Sequence, residues 1–193
     1  VRVAGMALVF GSHALLAQMM GAKGYGDYTV INTIVNFFVV VSLFGFDTST
    51  LRFFSTAYSK KDWAKAKGFF RFSNVIILIL SVSCVVGLFC FLLFNSKRYS
   101  ISYSEAFFWG IFLIPFLSFI ALSSSVLRAL HKVKLALSTN YIWMPVFLSI
   151  VCILYYLSHN NQLKVDAAVM IQMLLAALMC YYIRWRTKKE IEP

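Results

Sequence analysis

The sequence predicts an all-α, polytopic membrane protein: a six-transmembrane-helix bundle with both termini on the cytoplasmic side. Of its 193 residues, 61% are hydrophobic and 13% are charged, whereas soluble domains average about 45–50% apolar and about 25% charged residues. Charge-free runs recur along the chain, and most of the positive charge lies in every second connection between them. A soluble globule of this composition would expose large apolar patches, and a disordered chain would contain far fewer aromatic residues.

The charge-free runs have the length of transmembrane helices. A helix crosses the hydrocarbon core of a bilayer in about 20 apolar residues. Six runs without Lys, Arg, Asp or Glu approach this length, at residues 3–20, 28–46, 72–94, 106–127, 141–157 and 167–183. They do not alternate between apolar and polar residues as the strands of a membrane barrel would. We therefore expect residues 1–193 to form one membrane domain of six helices.

The first run could also be a cleaved signal peptide. Its apolar stretch is longer than the region of about 7–15 residues that signal peptides use, and no Ala-x-Ala cleavage pattern follows it. The sequence therefore predicts a retained first helix.

The positive charges predict the orientation. If consecutive spans alternate in direction, 14 of the 18 Lys and Arg residues lie on one side and four on the other. Cytoplasmic connections carry the excess of Lys and Arg, so both termini are expected on the cytoplasmic side. The net charge of +11 does not indicate nucleic-acid binding, because it is spread over several loops and forms no basic domain.

The longest polar stretch is the predicted cytoplasmic amphipathic segment, residues 47–71. Ser59 and Asp62 have the spacing of a capping box, in which both side chains satisfy free backbone N–H groups at a helix start. Three apolar residues at helical spacing follow, Trp63, Ala66 and Phe70. This pattern predicts a short helix in the inner interface, held by anionic lipid and leading into the third span. Alternatively, the lysines of this segment only enforce the topology.

No pattern indicates catalysis, a metal site or a cofactor. The four cysteines lie inside predicted spans, without the spacing of a metal site or a disulfide framework: Cys84, Cys90, Cys152 and Cys180. His13 is the one histidine within a span, and its neighbour Ser12 would not face it on a helix. The sequence therefore predicts a protein that is not an enzyme.

Polar residues inside the spans are the remaining functional candidates. The second span carries a stripe at three- and four-residue spacing, formed by Thr29, Asn32, Thr33 and Asn36. Gln18 of the first span is expected toward the same, outer end, and His13 nearer the middle. Such side chains either form hydrogen bonds between helices or line a water-filled cavity. His13, Gln18, Thr29, Asn32 and Asn36 are the candidate cavity-lining residues.

Two stretches resemble the amino-terminal region of polysaccharide and O-antigen flippases. The first is GAKGYGDY at residues 21–28, and the second is LFGFDTSTLRF at residues 43–53. The basic stretch LRALHK at residues 127–132 is similar to a connection of the same family. These flippases belong to the multidrug, oligosaccharidyl-lipid and polysaccharide exporter superfamily. The motif-level resemblance covers about the first seventy residues.

The resemblance implies a function in transport. Members of the family are expected to move undecaprenyl-diphosphate-linked oligosaccharides across the bacterial inner membrane for surface polysaccharide or O-antigen synthesis. They use two six-helix lobes, between which the substrate site opens alternately to the two sides of the membrane. Because this chain has six predicted spans, it looks like one lobe. The expected partners are a lipid-linked oligosaccharide, membrane lipids and a second lobe, either missing from this chain or supplied by another copy, and no nucleic acid. The alternatives are a drug or cation exporter of the same superfamily and a membrane accessory subunit that transports nothing.

The resemblance also suggests which residues contact the diphosphate head group. Arg52, which matches the arginine of the family motif, is the first candidate, and Arg128 and Arg2 follow. Relatives often carry a basic residue at the position of Gln18, and related flippases place arginines in the central cavity, whereas the predicted spans contain none. The alternative for Arg52 is a topology anchor or a salt bridge to Asp47.

Overall fold

The computed structural model describes residues 2–60, 62–95, 104–158 and 163–191, and every regular element within them is helical. The elements are α1 (Arg2–Leu43), α2 (Phe46–Ser59), α3 (Trp63–Asn95), α4 (Ser104–Ala129), α5 (Val133–Ser138), a π-helical turn (Thr139–Trp143), α6 (Met144–Ser158) and α7 (Val165–Ile191).

Five helices in the described part of the chain are long and apolar enough to cross a membrane, namely Gly5–Leu43, Ala64–Phe94, Glu105–Ala129, Val133–Ser158 and Val165–Lys189. The protein is thus an all-α, polytopic membrane bundle, as the sequence predicts. The first of these helices spans 39 residues, about twice the length that one crossing requires.

Helix α1 is broken at Gly21 and contains two of the predicted spans. Gly21 has φ 72° and ψ 171°, a conformation that is not helical and that glycine adopts without a steric penalty. The Tyr25 hydroxyl lies 3.2 Å from Nδ1 of His13. In a straight helix, residues 12 positions apart would be separated by about 18 Å. The chain therefore folds back at Gly21, and α1 has an N-terminal and a C-terminal half.

The two halves of α1 run in opposite directions along the bundle. Gly5 lies against Tyr141 just before α6, whereas Gly24 lies near Val165 at the start of α7. Helices α6 and α7 pack together and are joined by a short connection, as antiparallel neighbours are. Their starts therefore lie at opposite ends of the bundle. We call these the Gly21 end, where α7 begins, and the α2 end, where α7 finishes and α2 and α3 begin.

Helix α4 lies at the centre of the fold, packed against α1, α2, α3 and α7. Gly110 allows the C-terminal half of α1 to approach, because a Cβ atom there would lie 2.7 Å from Cγ2 of Ile31. The buried apolar side chains of α4 include Ile111, Leu113, Ile114, Leu122, Val126 and Leu127. By contrast, α3 exposes a broad apolar face formed by Val75, Leu78, Ile79, Val82 and Val86. Exposed apolar surface of this extent is expected to face lipid.

The connection after the second predicted span differs from the prediction. That span was expected to extend to residue 46, but α1 ends at Leu43 and α2 begins at Phe46. Phe44 and Gly45 both have positive φ, 44° and 78°, so the backbone must leave the helical path between them.

The predicted capping box is wrong. Ser59 is the last residue of α2, so it cannot take the non-helical conformation that an N-cap requires. Asp62 caps α3 instead, since its Oδ1 accepts a hydrogen bond of 3.4 Å from the backbone N–H of Lys65. The apolar helix face predicted after Asp62 is confirmed at two positions, because Ala66 and Phe70 are buried. They belong to the long helix α3 rather than to a separate short helix.

A Schellman motif ends α4 and fixes the position of its last turn. The backbone N–H of Lys132 donates to the carbonyl of Leu127 at 2.9 Å, and that of His131 donates to the carbonyl of Arg128 at 3.2 Å. These are the two bonds of the motif, with His131 in the left-handed conformation at φ 59°.

Candidate functional site

A groove between α2 and α3 contains Arg52, the first candidate of the sequence analysis. Its volume is about 530 Å³. Residues from one face of α2 and from the first two turns of α3 line it: Ser49, Arg52, Phe53, Thr56, Ala57 and Lys60, with Asp62, Lys65 and Phe69. The rings of Phe53 and Phe69 stack at 4.3 Å. We call this cavity the α2–α3 groove.

The α2–α3 groove is basic. It contains Arg52, Lys60 and Lys65 against one acid, Asp62. Asp62 is already engaged, because Lys65 Nζ lies 2.7 Å from its Oδ2. The hydrogen bonds from Lys65 lower the pKa of Asp62 below its usual value, so this carboxylate stays ionised near neutral pH. Two cations, Arg52 and Lys60, are left to attract an anion.

The salt bridge proposed between Asp47 and Arg52 does not form. The acid that forms an ion pair beside Arg52 is Asp62, and its partner is Lys65. Arg52 is exposed on α2, and its place in the groove wall makes its guanidinium accessible to an anionic ligand.

Of the other two head-group candidates, Arg128 alone has a side chain that the structure describes. Arg128 is half-buried in the last turn of α4, and its Nη2 donates a hydrogen bond of 2.8 Å to Ser125. Its Nε is buried and has no hydrogen-bond partner. Arg2 is the first residue of α1, and its side chain lies outside the described residues. Arg128 does not line the α2–α3 groove.

The polar stripe of the second predicted span is divided between two environments. Thr29, Thr33 and Asn36 are exposed on the C-terminal half of α1. Each of them donates a hydrogen bond of 2.8 Å to the carbonyl four residues earlier in its own helix. The side-chain oxygens of these residues can still accept hydrogen bonds on the exposed side of the helix. We call these three residues the α1 polar face.

Asn32, the fourth member of the stripe, joins α1 to α7. Gln172 Nε2 donates to Asn32 Oδ1 at 2.8 Å, and the hydroxyl of Tyr28 donates to Gln172 Oε1 at 2.9 Å. Tyr28 is only 2% exposed. Asn32 therefore forms an interhelical hydrogen bond, one of the two roles expected for this stripe, and its partner is Gln172. Gln172 belongs to a row at four-residue spacing on α7, in which Ala168, Ala176 and Cys180 are buried and Gln172 is half-buried.

His13 and Gln18 lie on the N-terminal half of α1, and both are exposed. His13 borders a second, mainly apolar cavity of about 600 Å³. The Tyr25 hydroxyl closes one side of this cavity through its contact with His13. Tyr141, next to Gly5, also borders it. Gln18 does not line either cavity.

Several polar atoms at or near the α2 end are buried without a hydrogen-bond partner. They belong to Thr50, Ser73, Asn74, Ser123, Arg128 and Arg186. The sequence analysis missed this feature, because polar residues near the end of a span resemble ordinary surface residues. No group of three or more His, Cys, Asp or Glu in the described ranges could hold a metal ion.

Comparison with known proteins gives one match. No curated protein and no solved structure matches the chain. A family model described as polysaccharide biosynthesis protein matches residues 1–192. This match covers nearly the whole chain and agrees with the resemblance carried by the motifs at residues 21–28 and 43–53. The chain is therefore a multi-pass membrane protein that belongs to the polysaccharide biosynthesis protein family.

Proposed function

We propose that the chain is one lobe of a transporter that moves undecaprenyl-diphosphate-linked oligosaccharide across the bacterial inner membrane, for surface polysaccharide or O-antigen synthesis. The observation that carries the proposal is the α1 polar face. It is an exposed polar surface on a membrane-crossing helix in a chain of the polysaccharide biosynthesis family. Intramembrane polar side chains mainly face a bundle interior or a water-filled cavity.

A polar path through the membrane would lower the free-energy cost of translocation. A diphosphate with its sugars cannot enter hydrocarbon, because burying charge and hydroxyl groups without partners is very costly. Thr29, Thr33 and Asn36 offer hydrogen-bonding groups along one side of such a path. A second six-helix lobe, from the same longer chain or from another copy, would supply the opposite side.

The α2 end faces the cytoplasm in this proposal. Arg52, Lys60, Arg71 and Arg128 lie on the elements that meet there, as do the basic residues at the end of α7. Positively charged residues of membrane proteins concentrate on the cytoplasmic side. Both termini would then be cytoplasmic.

The diphosphate would be admitted past Arg52, with Arg128 and Arg2 as further candidates. A guanidinium can donate two parallel hydrogen bonds to phosphate oxygens, which favours arginine for this contact. No covalent bond of the substrate changes during translocation, so this protein is proposed as a carrier rather than an enzyme. It requires no cofactor in this role.

The Arg52→Ala variant of the full-length protein tests the proposal. We expect it to lower surface glycan export by about tenfold or more, since hydrogen bonds to charged groups contribute about 1.5–3 kcal/mol. Export is measured by labelling cell-surface polysaccharide, with membrane insertion checked by immunoblotting of membrane fractions.

Arg71→Ala is the matched control. Arg71 is an exposed arginine of α3 that does not line the α2–α3 groove, so its loss should leave export near the wild-type level. Normal export by the inserted Arg52→Ala protein would remove Arg52 from the mechanism.

A further inference from the structure

We propose that the α2–α3 groove binds the head group of an acidic membrane phospholipid, such as phosphatidylglycerol. This inference rests on the groove and on the membrane nature of the chain, and it does not depend on which substrate is carried. The position of the groove at the membrane surface, its positive charge and its apolar floor each support the inference.

The groove lies at the depth of lipid head groups. On α3 it extends from Asp62 to Phe69, and the charge-free run of the same helix begins three residues later at Phe72. Three residues of helix correspond to about 4.5 Å. The groove is therefore adjacent to the hydrocarbon boundary, where phosphate groups of the lipid leaflet lie.

The charge of the groove favours an anion over a zwitterion. Lys65 and Asp62 neutralise each other through their 2.7 Å contact, so Arg52 and Lys60 supply the uncompensated charge. Lysine and arginine near a membrane surface attract acidic lipids, and this attraction is the usual basis for head-group selection. A zwitterionic lipid carries an ammonium group that these two cations would repel.

The floor of the groove suits the glycerol and the first methylene groups of a lipid. It consists of the stacked rings of Phe53 and Phe69. Phe53 remains 37% exposed, and Phe72 and Val75 continue the exposed apolar surface along α3 toward the membrane interior. A ligand with a phosphate at one end and acyl chains at the other therefore matches the groove along its length.

Lipid retention by the purified full-length protein tests the inference. Native mass spectrometry after incubation with equimolar phosphatidylglycerol and phosphatidylcholine would measure the lipids that stay bound. We expect phosphatidylglycerol to be preferred. The double variant Lys60→Gln/Lys65→Gln removes the charge of Lys60 and leaves the Asp62 carboxylate in the groove without its ion-pair partner, so it should weaken phosphatidylglycerol binding by about 10- to 30-fold. Lys60→Arg/Lys65→Arg, which keeps both charges, should restore the preference.

The matched control is Lys134→Gln/Lys188→Gln, which removes two exposed positive charges from α5 and α7, outside the groove. It should retain the wild-type preference. Equal lipid retention by the two glutamine variants would overturn the inference. Wild-type phosphatidylglycerol retention by Arg52→Ala would also overturn it, because Arg52 and Lys60 supply the uncompensated charge of the groove.

The outcome is separable from that of the proposed function. Failure of lipid retention with intact glycan export would reject the phospholipid site alone. Loss of export in Arg52→Ala, together with wild-type phosphatidylglycerol retention by Lys60→Gln/Lys65→Gln, would support the proposed function and reject the phospholipid site.

Discussion

Replacing Gly110 with leucine is expected to lower the stability of the full-length protein strongly. A Cβ atom at this position would lie 2.7 Å from Cγ2 of Ile31 and 3.6 Å from Cγ2 of Val35. Both neighbours are β-branched, so their methyl groups cannot move aside by a simple rotamer change. Overpacking of this kind costs about 1–3 kcal/mol or more, and here it separates α1 from the central helix. The melting temperature in detergent, followed by size-exclusion chromatography, measures the effect.

Gly87→Leu provides the matched control. Gly87 is also inside a helix, but a Cβ atom there would meet no atom within 4 Å. Both substitutions gain the helix propensity that glycine lacks, about 1 kcal/mol, so the difference between them isolates the contact with α1. The additional Ile31→Ala substitution should recover part of the stability of Gly110→Leu. Equal melting temperatures for the two leucine variants would show that α1 and α4 do not pack closely.

Leu78→Asp is expected to block stable membrane insertion of α3. Leu78 is 50% exposed on the apolar face, six residues inside the charge-free run that begins at Phe72. A charged residue at the centre of a membrane helix costs about 2.5–3.5 kcal/mol on insertion scales. In a soluble protein, the same change at an exposed position would cost little. Alkaline extraction of membranes followed by immunoblotting measures the inserted fraction.

Asn36→Asp is the comparison variant for Leu78→Asp. Asn36 lies at a similar depth, seven residues before the end of α1 at Leu43, and it belongs to the α1 polar face. Because a hydrated path would solvate the carboxylate, Asn36→Asp should insert far better than Leu78→Asp. Equal loss of insertion would contradict the assignment of a polar path to this face.

The membrane-crossing helices were predictable because their signal is local. A charge-free run such as residues 72–94 can be recognised without knowing its neighbours, and α3 contains this run entirely. The fold-back at Gly21 was also predictable, because a glycine-rich stretch separates two apolar runs.

Helix α2 was not predicted, because its residues have weak helix propensity. Serine and threonine favour helix caps and turns over helix interiors. Helix α2 contains five of them near its start and middle: Thr48, Ser49, Thr50, Ser55 and Thr56. Packing overrides this preference, since Phe54 and Ala57 bury one face of α2.

The candidate site was predictable only in part. Arg52 was identified from its motif, but the α2–α3 groove requires Lys60 and Lys65 to meet it from two helices, and that arrangement is a property of the fold. Likewise, the sequence indicated Asn32 as polar, but not that Gln172, 140 residues away, would bind it.

Reconstitution tests the central claim, transport of a lipid-linked oligosaccharide, most directly. The full-length protein would be placed in liposomes with undecaprenyl-diphosphate-linked oligosaccharide labelled on its sugar, and translocation would be followed by protection of the label from an external glycosidase. We expect translocation above the rate of protein-free liposomes, with a marked reduction for Arg52→Ala and none for Arg71→Ala. Translocation no faster than in protein-free liposomes, by protein shown to be folded and inserted, would contradict it.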